Sequence, residues 1–195
     1  MHFASTLRTF LLVCAIALPT SVCRSADLPV PGKGHFRIAL SPPWKVLKRD
    51  APANQPPTIH LERASHPRGE LEITVLWDPK GISTTLSEDK LRDWTMKGNV
   101  AIVESSVEID FPLTKFKGSD GTGFHFSATD KTYTRPASGP VPGDYPVITH
   151  GVMGLGSLVI SFTIFSDQKN DLSVQESLAA LKLSRLVPIV KKQTP

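Results

Sequence analysis

The sequence predicts an α+β fold in which an antiparallel β-sheet is covered by two amphipathic helices. Three observations support this prediction. Many short segments alternate apolar and polar residues with a period of two, which is typical of half-buried strands. Short turns rich in Gly and Pro join these segments, which favours antiparallel neighbours. Two segments instead carry helix caps and apolar residues three and four apart, and such helices must bury one face on the sheet.

The first 25 residues have the pattern of a secretory signal peptide. Arg8 precedes an apolar run from Phe10 to Leu18, and the first acidic residue is Asp27. The run is too short for a stable membrane span, which needs about 20 apolar residues. Small residues favour cleavage between Ser25 and Ala26. We therefore expect a periplasmic or secreted protein without a membrane span after processing.

Cys23 raises the alternative of a lipoprotein. The residues before it are Thr20, Ser21 and Val22, a poor match to a lipidation signal, so we favour the soluble exported form. Removal of residues 1–25 would take away both cysteines and two of the 22 basic residues. The remaining charge is nearly balanced, which argues against a nucleic-acid partner.

The mature chain begins with a predicted flexible arm, residues 26–33. Strands are then predicted at Gly34–Leu40, Lys45–Arg49, Thr58–Arg63 and Glu70–Trp77 from their alternation and bounding turns. A helix is predicted at 88–97. Ser87 is its N-cap, Leu86 and Leu91 form a hydrophobic staple, and Gly98 ends it.

The second half of the chain repeats this order of strands and then a helix. Further strands are predicted at Val100–Asp110, Phe111–Phe116, Gly123–Thr129, Tyr145–Met153 and Leu158–Phe165. A second helix is predicted to begin near Ser173, where Ser173 and Glu176 have the spacing of a capping box. One domain, residues 34–187, is therefore expected, followed by a polar tail at 188–195.

The order of these elements resembles that of PsbP-like proteins, the PsbP/Mog-like superfamily. The resemblance rests on the strand that leads into Pro42-Pro43-Trp44, on the helix with Leu91 and Trp94, and on the late hairpin that runs into a C-terminal helix. It extends over about Gly34 to Val187. It implies an α/β/α sandwich and, because characterised members mostly bind other proteins, a protein partner. It implies no shared active site.

No motif in the sequence predicts catalysis or a cofactor. The segment from Gly154 to Ser157 lacks the trailing glycine of a nucleophile elbow, and the glycine-rich turn at 118–123 leads into a strand rather than a helix. His125 and His150 could face each other across neighbouring strands, but two ligands do not make a zinc site. We therefore predict no catalytic, cofactor or metal residues.

The segment from Thr134 to Pro146 is the strongest candidate for a binding surface. Loops of this length in a compact domain are often functional and otherwise mobile. Arg135, Asp144 and Tyr145 supply a charge pair and an aromatic tip, and we predict that they contact another envelope or secreted protein. The sequence thus indicates an exported, non-catalytic binding protein of unknown oligomeric state. An immunity or chaperone-like protein for a secreted toxin and an enzyme with a non-local site remain alternatives.

Overall fold

The computed structural model describes residues 24–50, 55–77, 86–134, 136–137, 141 and 143–189, and these form an α+β fold of antiparallel sheets. The predicted fold class is confirmed at that level. The elements in chain order are β1 (Arg24–Val30), β2 (Gly34–Leu40), β3 (Trp44–Asp50), β4 (Thr58–Arg63), β5 (Gly69–Leu76), α1 (Glu88–Lys97), α2 (Val100–Glu104), β6 (Thr114–Lys117), β7 (Gly121–Thr129), β8 (Val147–Leu155), β9 (Leu158–Ser166), α3 (Leu172–Lys182) and β10 (Arg185–Val187).

The strands form two sheets. The large sheet has seven strands in the order β3-β4-β5-β9-β8-β7-β6, and the small sheet has three in the order β1-β2-β10. Every neighbouring pair is antiparallel. The hairpin between β8 and β9 fixes their register, and Gly156 in its turn has φ +58°, a conformation that favours glycine.

The main hydrophobic core lies between one face of the large sheet and the layer made by the small sheet and α3. Alternate residues of each strand point into it because side chains on a strand alternate between faces. Its fully buried members include Phe36, Ile38, Ile59, Leu61, Leu71, Ile73, Ile160, Phe162 and Leu181. We call this side of the large sheet the covered face.

Helix α1 lies on the opposite side of the large sheet, over β7 and β8. Leu91 of the helix packs there with Phe124, Val152 and Val159 in a second, smaller cluster. Ser87 caps the helix by accepting a hydrogen bond from the backbone N–H of Lys90, as predicted. We call this side of the large sheet the α1 face.

The predicted arm at 26–33 was wrong. Residues 26–30 belong to β1, which pairs along its whole length with β2. Pro29 is compatible with this strand because β1 is an edge strand, and an edge strand tolerates Pro on its unpaired side. Buried Ala26, Leu28 and Val30 add to the main core.

The predicted strand at Val100–Asp110 was also wrong. Residues 100–104 form the short helix α2, and the chain then meets the end of β7 through a bridge between Ser106 and Asp130 and hydrogen bonds from Thr129 to Glu108 rather than through a strand ladder. The β-branched residues that suggested a strand are largely exposed, with Ile109 94% exposed. The predicted strand at Phe111–Phe116 begins three residues late, at Thr114.

Helix α3 begins one residue before Ser173, and its cap differs from the predicted one. Asp171 is the N-cap and accepts a hydrogen bond from the backbone N–H of Val174. Glu176 does not close a capping box. Its carboxylate instead accepts hydrogen bonds from Arg63 and from the indole of Trp44, each at 2.8 Å.

Several predictions fall on residues outside the described part of the chain. The signal peptide lies there except for its last two predicted residues, as do residues 190–195 of the predicted tail. Within the described residues, no helix combines the length and apolarity that crossing a bilayer requires.

Candidate functional site: a cleft beside helix α1

A cleft of about 600 Å³ opens on the α1 face, between the C-terminal half of α1 and the large sheet. We call it the α1 cleft. Its volume falls in the range of ligand sites, roughly 300–1,000 Å³. Both α1 and strands β5, β8 and β9 line it, with residues Leu76, Asp93, Trp94, Lys97, Gly98, Asn99, His150, Val152 and Ser161.

Trp94 forms the outer wall of the cleft. Leu91, one turn earlier on α1, is buried against the sheet, whereas Trp94 remains 45% exposed. Trp94 lies three residues after Leu91, where the apolar side of α1 meets the opening. A half-exposed indole offers a large, rigid contact surface, and this makes Trp frequent in binding sites.

The end of α1 carries the polar groups of the same wall. Lys97 and Asp93 form an ion pair at 2.6 Å one helical turn apart, so this part of the wall is neutral overall. The side-chain amide of Asn99 donates to the backbone carbonyl of Thr95 at 3.3 Å, which ties the residue after the cap to the helix. These contacts give the wall a defined shape.

His150 lies in the floor of the cleft. The register of β8 places it between Phe126 on β7 and Thr163 on β9. The residue is only 6% exposed, and its Nδ1 lies 3.2 Å from the hydroxyl oxygen of Thr163. Burial disfavours the charged ring and lowers the pKa of His150 to about 4, so the ring is neutral at neutral pH.

The hydrogen bond to Thr163 leaves Nε2 as the remaining polar atom of the His150 ring. Among the described residues, Nε2 has no hydrogen-bond partner. The Thr163 hydroxyl can donate to Nδ1 or accept from it, so Nε2 can be an acceptor or a donor. The cleft therefore combines an aromatic wall with a floor in which apolar side chains surround the His150 ring and the Ser161 side chain, an arrangement suited to binding.

The same geometry does not favour acid–base or nucleophilic catalysis. A histidine with a pKa of about 4 is a weak base at neutral pH. A triad also needs a third group that orients the base, and the partner of Nδ1 is a threonine hydroxyl rather than a carboxylate.

The suggested pairing of His125 with His150 was wrong. In the β7–β8 register His125 lies opposite Gly151 and His150 lies opposite Phe126, so the two rings point to opposite faces of the sheet. His125 is partly buried beside Phe116, and burial together with the charge of Lys182 lowers its pKa. Within the described ranges, no three His, Cys, Asp or Glu side chains are placed to hold a metal ion.

The residues predicted to bind a partner lie elsewhere, at one end of the large sheet. Arg135 is outside the described residues. Asp144 and Tyr145 are both half-buried and are held by Arg68, which donates to the Asp144 backbone carbonyl at 2.8 Å and stacks 4.7 Å from the centre of the Tyr145 ring. Arg68 also pairs with Asp167 at 3.0 Å.

Tyr145 is packed against neighbouring side chains and is not a free aromatic tip. Its ring lies 6.2 Å from that of Phe165, and burial together with the nearby Glu70 raises its pKa. The role of Asp144 and Tyr145 in partner binding therefore stays a prediction, now for a loop anchored to the sheet by Arg68. It is separate from the α1 cleft.

The sequence analysis missed the α1 cleft because its parts are distant in the chain. Trp94 was assigned to a helix face and His150 to a strand, and only the tertiary structure brings them to one opening. The alternation of β8 contained one indication of the site. His150 lies two residues before Val152 and therefore points to the same face of the strand. A polar residue among apolar residues on one face indicates a polar site in the interior.

Neither a protein-family model nor a curated protein sequence matches this chain.

Proposed function

We propose that this chain is an exported, non-catalytic binding protein of the PsbP-like type, which recognises another envelope or secreted protein through the α1 cleft. The sequence supports export through its signal-peptide pattern, and the order of elements supports the PsbP-like sandwich. One observation carries the choice of surface: the half-exposed Trp94 stands over a cleft of about 600 Å³ whose floor contains the buried His150.

The composition of the cleft supports a protein partner. Its lining combines Trp94 with the apolar Leu76 and Val152 and with the ion pair of Asp93 and Lys97. A central aromatic anchor with apolar and paired polar residues around it is the usual composition of a protein-binding hot spot.

The experiment compares partner capture by three forms of the full chain, each with a C-terminal tag and produced in the native host. These are wild type, Trp94→Ala and Leu47→Ala. Leu47 is a matched control because it is a 53% exposed apolar residue on β3, outside the cleft. We expect a protein that wild type and Leu47→Ala retain and Trp94→Ala loses.

That protein is then purified, and its dissociation constant is measured for all three forms. We expect Trp94→Ala to weaken binding at least about tenfold, a typical loss for an aromatic hot spot. If the three forms retain the same proteins with the same affinity, the α1 cleft is not the binding surface.

A further inference from the structure

We infer that the α1 cleft receives a tyrosine side chain of its protein partner, with the phenolic hydroxyl on Nε2 of His150 and the ring against Trp94. This inference rests on the proposed function and adds the chemistry that the cleft selects. Three properties of the cleft support it: the charge of its lining, the hydrogen-bonding capacity of its floor and the nature of its walls.

The charge of the lining selects a neutral side chain. The two charged residues of the cleft, Asp93 and Lys97, are paired with each other at 2.6 Å, and His150 is buried. A partner carboxylate or ammonium group placed on this floor would lose its hydration without gaining an opposite charge. Charged partner side chains are therefore disfavoured.

The floor selects a side chain that can hydrogen-bond. The described residues leave Nε2 of His150 without a partner, and an apolar side chain that covered this atom would bury it unsatisfied. A phenolic hydroxyl can donate or accept, so it can bond to Nε2 in either tautomer of the ring. The indole N–H of a partner tryptophan can only donate and would fit one tautomer only.

The walls select an aromatic ring over a short alcohol. The half-exposed indole of Trp94 and the side chains of Leu76 and Val152 surround the path to His150. Two aromatic rings in offset or edge contact gain attraction beyond their buried area. A serine or threonine side chain could form the hydrogen bond but would leave these apolar surfaces exposed to water.

The first test titrates p-cresol and toluene into the full chain and follows the Trp94 indole and His150 imidazole signals by NMR. These two probes differ by one hydroxyl and represent the tyrosine and phenylalanine side chains. We expect both signals to shift with p-cresol, and about tenfold weaker binding of toluene, the size of one net hydrogen bond. Equal binding of the two probes, or no shift at either signal, would overturn the inference.

Two variants localise the effect. Trp94→Ala, a surface change, should weaken both probes. His150→Phe should remove the preference for p-cresol and leave toluene bound at least as tightly. If His150→Phe does not fold, the preference in wild type and its weakening in Trp94→Ala still decide the question. A preference for p-cresol that Trp94→Ala leaves unchanged would place the phenol site elsewhere and contradict the inference.

The last arm separates a tyrosine from a small phenolic molecule and from failure of the proposed function. In the partner captured above, Tyr→Phe at the contact should weaken binding about tenfold. If Trp94→Ala abolishes capture but no Tyr→Phe substitution in the partner matters, the proposed function stands and the tyrosine inference is wrong. If p-cresol binds but Trp94→Ala loses no protein, the source is a small phenol, which contradicts both proposals.

Discussion

The two faces of the large sheet are built by alternate residues of the same strands, yet they differ in what they can do. The covered face meets the small sheet and α3, and its residues such as Ile73 and Ile160 are 0% exposed. The α1 face meets α1 over β7 and β8 and loop side chains such as Phe111, and β4 and β5 carry polar residues such as His60 and Glu72 on this side. The α1 cleft lies where the helix cover ends. The comparison shows that the extent of the cover, rather than the strands themselves, creates the candidate site.

The largest effect should come from the covered face. Phe162→Ala removes a fully buried ring from β9 and should lower the free energy of unfolding by about 4 kcal/mol, because the apolar burial of the ring is lost and a cavity remains. Ser161→Ala changes the next residue of the same strand, which lines the cleft, and should cost less than about 0.5 kcal/mol. Urea denaturation of both variants measures the difference. Similar losses would mean that the two faces are equally tightly packed.

The next largest effect on stability should come from the ion pair between Arg63 and Glu176, on the side of the covered face. Arg63 is 5% exposed and bonds to Glu176, whose pKa is lowered by that hydrogen bond and by the one from Trp44 against the opposing effect of burial. Glu176→Ala leaves Arg63 charged with only the backbone oxygens of Ser65 and Pro67 and the Ser65 hydroxyl. We expect a loss of about 3 kcal/mol in urea denaturation.

The exposed ion pair between Asp93 and Lys97 is the control for the Glu176 prediction. Asp93→Ala breaks the Lys97 pair on α1, both of whose partners are more than half exposed, and should change stability by less than about 0.5 kcal/mol. An Asp93 effect as large as that of Glu176 would contradict the burial argument.

The pH dependence of stability should report on the floor of the cleft. The pKa of His150 is about 4 in the folded chain and 6.5 when unfolded, so the unfolded state binds the proton first as pH falls. Stability is therefore lost between pH 6.5 and 4, by up to about 3 kcal/mol if the whole shift applies. Unfolding free energies at pH 7 and pH 5 should differ less in His150→Phe than in wild type.

Other groups with lowered pKa values also destabilise the fold as pH falls, among them His125 and the carboxylates of Glu108 and Glu176. His125 on the covered face also has a lowered pKa, so His125→Phe serves as the matched variant. Glu108 has its pKa lowered to about 2, held against burial by hydrogen bonds from Lys169, Ser106 and Thr129, and its stabilisation is lost only below its ordinary value of 4.5. A pH 7 to 5 difference that survives in both histidine variants would refute the assignment to these rings.

The smallest effect on stability should come from Trp94, the residue with the largest expected effect on binding. Nearly half of its side chain is already exposed, so Trp94→Ala should lower the free energy of unfolding by about 1 kcal/mol or less. Thermal denaturation beside the binding measurement separates the two roles. A large loss of stability would show that Trp94 belongs to the core of the α1 face.

The elements that the sequence predicted well are those with local signals. The bounds of β2, β4 and α1 agree with the predictions, because alternation, bounding turns and the Ser87 cap act within a few residues. The errors occur where contacts with residues distant in the sequence determine the local structure. Strand β1 exists because β2 offers it an edge, and Glu176 leaves its expected cap because Arg63 and Trp44 bind it across more than 100 residues.

The candidate site was less predictable for the same reason. A helix residue such as Trp94 becomes a wall of the cleft only through the packing of α1 on the sheet, which places it beside Leu76, His150 and Ser161 of three different strands. His150 is buried through contacts with Thr163 and Phe126 of the two flanking strands, which are also distant in the sequence. The α1 cleft is thus a product of how the layers overlap.

Strand β2 lies between β1 and β10, the first and last strands of the described chain. During synthesis β1 and β2 leave the ribosome before the large sheet and α3, and Arg185–Val187 leaves after them. One edge of β2 therefore has no partner strand until the elements from β3 to α3 have been synthesised. A chain truncated before α3 would lack both β10 and the helix that packs on β2, and it would expose Phe36 and Ile38 to solvent and to other proteins.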